Sequence, residues 1–264
     1  MIVNRIHQYE RRIACRNCGN LTPITGKYCI HCGMRLLPFK FTHAIGVPIA
    51  ALLMSLGILL IAVLLVLPSY FVYALFARYE IPSKQVFLVM LSLMAGSELA
   101  MILAIYFYFD NWHVLKAWMK IVPADPKNAV KHTFFGATGG AICSVMVSIV
   151  SRYLDIGVAE LTFSPLDATI ITISMLAIGL SEEMVFRGFL QQALTLRLGF
   201  LKAVMISSAI FALVHLEPYT MPIIFVIGLL IGTLYEKSNR TLAGPITFHT
   251  VYNSIQILLP LILC

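Results

Sequence analysis

The stretch Ser181–Gly188, SEEMVFRG, sets Glu182, Glu183 and Arg187 in a segment that is otherwise apolar and long enough to cross a membrane. A carboxylate in hydrocarbon is costly, about 2.5 kcal/mol or more at the centre of a helix. Two adjacent carboxylates also repel each other. Such residues persist where they pair, face a polar cavity or do chemistry. Two later apolar segments carry polar positions of their own: His215 in FALVHL, and His249 with Asn253 in FHTVYN. Together these positions point to a site inside a bundle of membrane helices.

Composition agrees. The 264 residues are 59% hydrophobic and 12% charged, with a mean hydropathy of +0.88. A soluble domain is about 25% charged. The expected fold is an all-α polytopic membrane bundle of about seven transmembrane helices, or eight, behind a small N-terminal module. Residues 1–43 are polar and basic and lack a signal-peptide pattern. Ahead of the first span, Arg5, Arg11, Arg12, Arg16, Lys27, Arg35 and Lys40 face only Glu10. That excess fits a cytoplasmic segment under the positive-inside rule. Nucleic-acid binding by this basic module is the weaker reading.

The spans are read as Ile45 to Leu67, continuing towards Tyr73 past a bend at Pro68; Gln85 to Phe109, interrupted only by Glu98; and Val130 to Val150, with Gly136, Gly139 and Gly140 small enough for close helix packing. Trp112, Trp118, Lys116 and Lys120 suggest an interfacial segment between the second and third. The fourth starts sharply, with Ser164 as cap, Pro165 in the first turn and Asp167 close behind. It runs to about Leu196, longer than the apolar layer, so it must tilt, emerge, or bend at Gly179 or Gly188. Three short spans follow: Leu201 to Leu216, Met221 to Tyr235 and Pro245 to Leu263. Loop charges favour an orientation with the N-terminus cytoplasmic and the C-terminus outside, and the expected location is a prokaryotic plasma membrane. Lys127, Lys131, Arg197, Lys202, Lys237 and Arg240 then lie inside, and Asp155, Glu160 and Asp167 outside. In that topology His215 and His249 differ in depth, so they share a site only if a helix is shifted, tilted or broken.

The N-terminal module, residues 1–40, carries Cys15, Cys18, Cys29 and Cys32 in the spacing C-x2-C-x10-C-x2-C. Two close pairs across a short ribbon suit tetrahedral zinc held by four thiolates. Gly19 and Gly33 would ease turns that aim amides at sulfur. A cytoplasmic location argues against the disulfide alternative. The expectation is a zinc ribbon with a structural zinc, available to dock a protein partner. The remaining chain, residues 41–264, is expected to be one transmembrane domain, with its motif-bearing core in 166–264.

Within that core, Glu183 and Arg187 stand at i,i+4 with the acid first, the favourable order for a pair on one helix face. Glu182 points about 100° away and is freer to take a proton, as a general base must. His249 and Asn253 also stand at i,i+4 and are able to donate to a developing oxyanion. Each cluster has a structural reading as well: a polar lock between helices, a packing histidine, a hydrogen-bonded helix contact. Glu182, His215 and His249 also make a candidate catalytic metal site, although no HExxH motif is present.

At these residues the chain resembles the CAAX protease and bacteriocin-processing family of intramembrane proteases, the Abi family. EExxxR corresponds to Glu182-Glu183-Met-Val-Phe-Arg187, FxxxH to Phe211 through His215, and HxxxN to His249 through Asn253. The likeness runs in order from Leu166 to the C-terminus; the first half matches by architecture alone. The resemblance implies hydrolysis of a peptide bond at the membrane by glutamate-activated water. In eukaryotic members the bond follows a prenylated cysteine. It implies that Glu182 is the base, His215 orients the water, His249 and Asn253 stabilise the oxyanion, and Glu183 with Arg187 support the site. The partner is then a membrane-embedded or lipid-anchored peptide or protein. Two other classes stay open: a noncatalytic scaffold or bacteriocin-immunity protein, and a proton-coupled transporter using Glu182 as relay.

Overall fold

In the computed structural model, the described residues are 12–15, 20–23, 29, 31, 41–77, 83–109, 119–121, 125–153, 163–215 and 220–258. The expected interfacial Trp112, Lys116 and Trp118, and the loop acids Asp155 and Glu160, lie outside them.

Two short strands, β1 (Arg12–Ala14) and β2 (Leu21–Pro23), pair antiparallel, with Ile13 opposite Thr22. The Cys15 amide donates to Asn20 O at 3.0 Å. Cys15 and Cys29 are both buried, and the amide of His31 points at Cys29 Sγ from 3.4 Å. Cys18 and Cys32 lie outside the described residues. Here the structure corrects an expectation. Among the described residues no group of three or more His, Cys, Asp or Glu is placed to hold a metal. A closed zinc site takes four such donors, and the spacing of the four cysteines alone does not supply one.

The rest is helical. The helices are α1 (Phe41–Ala77), α2 (Ser83–Phe109), α3 (Pro126–Tyr153), α4 (Pro165–Glu183), a π-helical segment (Met184–Gln191), α5 (Gln192–Leu198), α6 (Phe200–Val214), α7 (Met221–Lys237) and α8 (Ala243–Leu258). Each expected span overlaps one of these helical stretches, and the expected ends at Leu216 and Leu263 lie outside the described residues. Three stretches are long and apolar enough to cross a membrane: Lys84–Phe107, Pro126–Val150 and Pro165–Thr195; Ile45–Ile61 and Phe200–Val214 are shorter apolar helices. The protein is thus an integral membrane helical bundle, with at least three and up to five apolar spans supported by length and composition.

Local sequence explains several boundaries. Ser164 caps α4 as expected: its Oγ accepts from the Asp167 amide at 3.2 Å, and Asp167 Oδ2 accepts from the Ser164 amide at 2.7 Å. This reciprocal box satisfies two donors that the helix start leaves over. Lys84 at the head of α2 reaches the same carboxylate at 3.0 Å, tying two helix starts together. Pro68 does not end α1, which continues to Ala77.

The helix that begins at Pro165 and ends at Leu198 is central. α2 and α8 flank its first half, and the π segment meets α1, α2, α6 and α7. α3 lies along α8 so closely that Cβ atoms added at Gly136 or Gly140 would strike the carbonyl oxygens of Gly244 and Phe248. These glycines let the backbones touch. One core holds Met101, Ile105, Val185, Phe186, Phe189, Leu194 and Phe211; another, towards the start of α4, joins Leu91 and Ala95 to Ile171, Met175 and Ile178.

Candidate active site

The widened turn comes at the motif. From Met184 to Gln191 the helix is π rather than α, and the Gln192 amide donates to Arg187 O, five residues back. Sequence suggested a bend at a glycine; the structure instead loosens the helix over eight residues, Gly188 among them. Such segments inside α-helices occur often at functional sites.

Glu183 closes α4 and is 0% exposed. Its Oε1 receives Arg187 Nη1 at 3.0 Å and His249 Nδ1 at 2.8 Å. An ionised carboxylate only accepts, so Nδ1 carries a hydrogen in this pairing. The other ring nitrogen, His249 Nε2, stands 3.4 Å from Glu182 Oε2. That is an electrostatic contact rather than a tight hydrogen bond. The imidazole therefore lies between the two carboxylates, and the expected pair at 183 and 187 extends to a third member 66 residues away. Glu182 is the more accessible of the two acids, its side chain 13% exposed.

Arg187 is fully enclosed. It donates to Glu183, gives Nη2 to Gly228 O at 3.3 Å, and holds its guanidinium carbon 4.4 Å above the centre of the Phe211 ring. A cation over an aromatic face in a dry site is favourable. The same ring meets Phe186 at 5.0 Å, His215 at 4.7 Å and His249 at 5.8 Å between centroids. Phe211 thus gathers Arg187 and both histidines around itself.

The expected difference in depth does not keep the histidines apart, since both rings pack on Phe211. α6 has 15 residues, about 22 Å at 1.5 Å per residue, short of the about 30 Å apolar layer. It ends early, and His215 caps its C-terminal end beside Phe211. His215 Nδ1 lies 2.7 Å from Phe211 O. A carbonyl accepts, so Nδ1 donates and Nε2 is left as the acceptor. Asn253 follows His249 by one turn on α8 and is half-buried.

A polar ladder continues from the site along the central helix. Arg187 reaches Gly228 O, Gln191 reaches Gly232 O at 2.9 Å, and Thr195 reaches Glu236 Oε1 at 3.0 Å. Rungs step by four residues on both helices. Gln191 also touches Glu236 Oε1 at 3.3 Å and accepts from Ser207 at 3.3 Å, while Arg240 holds Glu236 Oε2 at 3.0 Å. This ladder was not read from sequence.

Among the described residues, Glu182 Oε2, Glu183 Oε2, Arg187 Nε and Glu98 Oε2 are buried without a hydrogen-bond partner. Unpartnered buried polar atoms cost free energy, and several around one point call for a functional account. Glu98 had one sequence signal: it alone interrupts the second apolar segment.

The metal alternative is corrected. Glu182, His215 and His249 are all described, and no metal-holding group is found among them. Both nitrogens of His249 face carboxylates, and His215 Nδ1 faces a carbonyl.

Residues 164–255 match the family described as Rce1-like, type II CAAX prenyl endopeptidase Rce1-like. The match opens at the Ser164 cap and closes just past Asn253, so it spans the whole cluster. No curated protein and no solved structure matches the chain. This segment is CAAX-protease-like, and its buried Glu–His–Arg cluster is consistent with a glutamate-dependent hydrolase working in the membrane.

Proposed function

We propose that the protein is an intramembrane endopeptidase that hydrolyses a peptide bond near the C-terminus of a membrane-associated, prenylated CAAX-like protein or peptide. The observation that carries this reading is the placement of Glu182. Its carboxylate lies beside a histidine that is fixed from behind by Glu183 and Arg187. A base needs freedom to accept a proton, and its neighbours need to be held still. Glu183 has no such freedom, because Arg187 and His249 share its Oε1.

In this mechanism Glu182 takes a proton from water as the oxygen attacks the carbonyl carbon. His215 Nε2 accepts from the same water and orients it. With both ring nitrogens protonated, His249 donates from Nε2, and Asn253 from its amide, to the developing oxyanion. On collapse, the C–N bond breaks and Glu182 returns the proton to the leaving amine. Phe211 and Phe186 wall the site on one side, and Arg187 stays out of the reaction as the counter-charge of Glu183. Residues 41–264 act as the catalytic membrane domain, with residues 1–40 before it on the cytoplasmic side and the C-terminus outside.

The test is hydrolysis in proteoliposomes. A farnesylated peptide ending in a CAAX sequence and its unprenylated, lipid-tethered counterpart are offered to wild type and Glu182→Gln. Cleavage by wild type, absent in Glu182→Gln, supports the reading. A folded wild-type protein that cuts neither peptide, or a fully active Glu182→Gln, overturns it.

A further inference from the structure

The face of α2 that meets the central helix contains one residue out of character. Leu91, Ala95, Glu98, Ile102 and Ile105 recur at three- and four-residue intervals and so share one face. Leu91 and Ala95 belong to the core of Ile171, Met175 and Ile178 on α4. Ile102 and Ile105 belong to the core of Met184, Val185 and Phe189 on the π segment. Glu98 falls between these two layers, and by the same register it faces the junction of α4 and the π segment, where Glu182 stands. Two carboxylates at that junction repel each other through a low-dielectric interior. Glu98 Oε2 is buried with no hydrogen-bond partner, and among the described residues no cation pairs with Glu98.

Charge counting gives this placement a meaning. The groups around the junction are Glu98, Glu182 and Glu183, set against Arg187 and His249. Glu183 is matched by Arg187, and His249 offers at most one more positive charge to the two acids that remain. With every acid ionised, the cluster holds one uncompensated negative charge out of water, which is expensive. One proton removes that excess. Two carboxyls that repel each other away from solvent raise each other's proton affinity, so one such proton distributes over the pair.

We propose that Glu98 is a positioning residue of the site that shares one proton with Glu182. With the proton on Glu98, Glu182 is a carboxylate able to accept a proton from water. That proton goes to the leaving amine at the end of the turnover, and Glu98 keeps its own. The role in turnover rests on the hydrolase reading above; the sharing of a proton does not.

The test therefore has two arms on the purified full chain. The first is infrared difference spectroscopy of the protonated-carboxyl C=O stretch in wild type, Glu98→Gln, Glu98→Asp and Glu182→Gln. The expected result is a band at neutral pH in wild type that disappears in Glu98→Gln, persists in Glu98→Asp and is lost or changed in frequency in Glu182→Gln. A band untouched by Glu98→Gln, no band in wild type, or a frequency indifferent to Glu182→Gln overturns the proposal. The second arm is cleavage of the membrane-tethered peptides. Glu98→Gln should lower kcat on the order of tenfold, less than the about 10²-fold or more of losing a general base. KM should hold within about twofold and Glu98→Asp should recover most of the rate. Melting temperature separates this from a structural role: a neutral amide in place of an unpaired buried acid should leave Tm unchanged or raised, whereas a structural residue would lower it. Full kcat in Glu98→Gln, or a fall in Tm that matches the fall in rate, overturns the role in turnover. If wild type cuts neither peptide, the hydrolase reading fails with the role that depends on it, and the infrared arm still decides the shared proton.

Discussion

α3 and the motif helix are both apolar and both long enough to cross a membrane, yet they do opposite work. Of the apolar stretch that defines each, 56% is buried for the motif helix and 17% for α3. α3 touches the bundle along one seam, where Gly136 and Gly140 meet the backbone of α8, and turns Phe134, Met146 and Ile149 outward. The motif helix is enclosed and carries its charges inside. Lipid is as apolar as leucine, so the outer face of α3 gains little from packing. Close backbone contact and buried polar pairing supply what hydrophobic burial does not. Hydropathy therefore says that a helix is in the membrane, while its polar residues and glycines say where it sits in the bundle.

Substitutions sharpen this contrast in order of size, read as unfolding free energy in detergent. Glu183→Ala should be the most damaging, about 3–5 kcal/mol, because it leaves Arg187 and His249 without their shared acceptor. Gly140→Ala should follow at about 1–3 kcal/mol, since its Cβ meets the carbonyl of Phe248, backbone that does not rotate away. It should also slow cleavage, because the next residue on α8 is His249. Glu182→Gln should cost about 1 kcal/mol or less, as its Oε2 makes no hydrogen bond, while abolishing turnover. Ile149→Leu, 62% exposed on α3, should stay within about 0.5 kcal/mol. If Ile149→Leu proves as harmful as Gly140→Ala, the outer face of α3 is a packed interface and the contrast collapses. If Glu182→Gln unfolds the protein while Glu183→Ala is silent, the roles of the two carboxylates are reversed.

Local signals in the chain were readable in advance, and long-range ones were only partly so. The cap at Ser164 and the ion pair of Glu183 with Arg187 depend on residues three or four apart, where helix geometry dictates the contact. The motifs led to the expectation that Glu182, His215 and His249 share a site, but the place of His249 between Glu182 and Glu183 was not legible. It depends on how α8 meets α4, which no single helix encodes. The π segment left no sequence signal either: its hydrogen bonds are backbone bonds, available to any residue but proline. Glu98 was visible as an oddity and stayed unassigned, because its meaning lies in the register of α2 against the motif helix. The cysteine spacing misled in the other direction. It suggested a metal centre that the described residues do not form.

The ladder between the motif helix and α7 raises a question of uniqueness. Rungs at 187, 191 and 195 meet partners at 228, 232 and 236. A repeat of four on both sides is degenerate, because sliding α7 by one turn would set Arg187 against Gly232 and Gln191 against Glu236 with similar chemistry. The two glycine carbonyls do not tell the registers apart. Glu236 does, since it takes Thr195 and Gln191 on one oxygen and Arg240 on the other. The slot of Gly232 does so as well, since an added Cβ there would lie 2.7 Å from Gln191 Oε1 and 3.2 Å from Val204, and the slide would push Glu236 into it. Alignment of the two helices is thus decided at Gly232 and Glu236, and Arg187 inherits a position fixed one to two turns away.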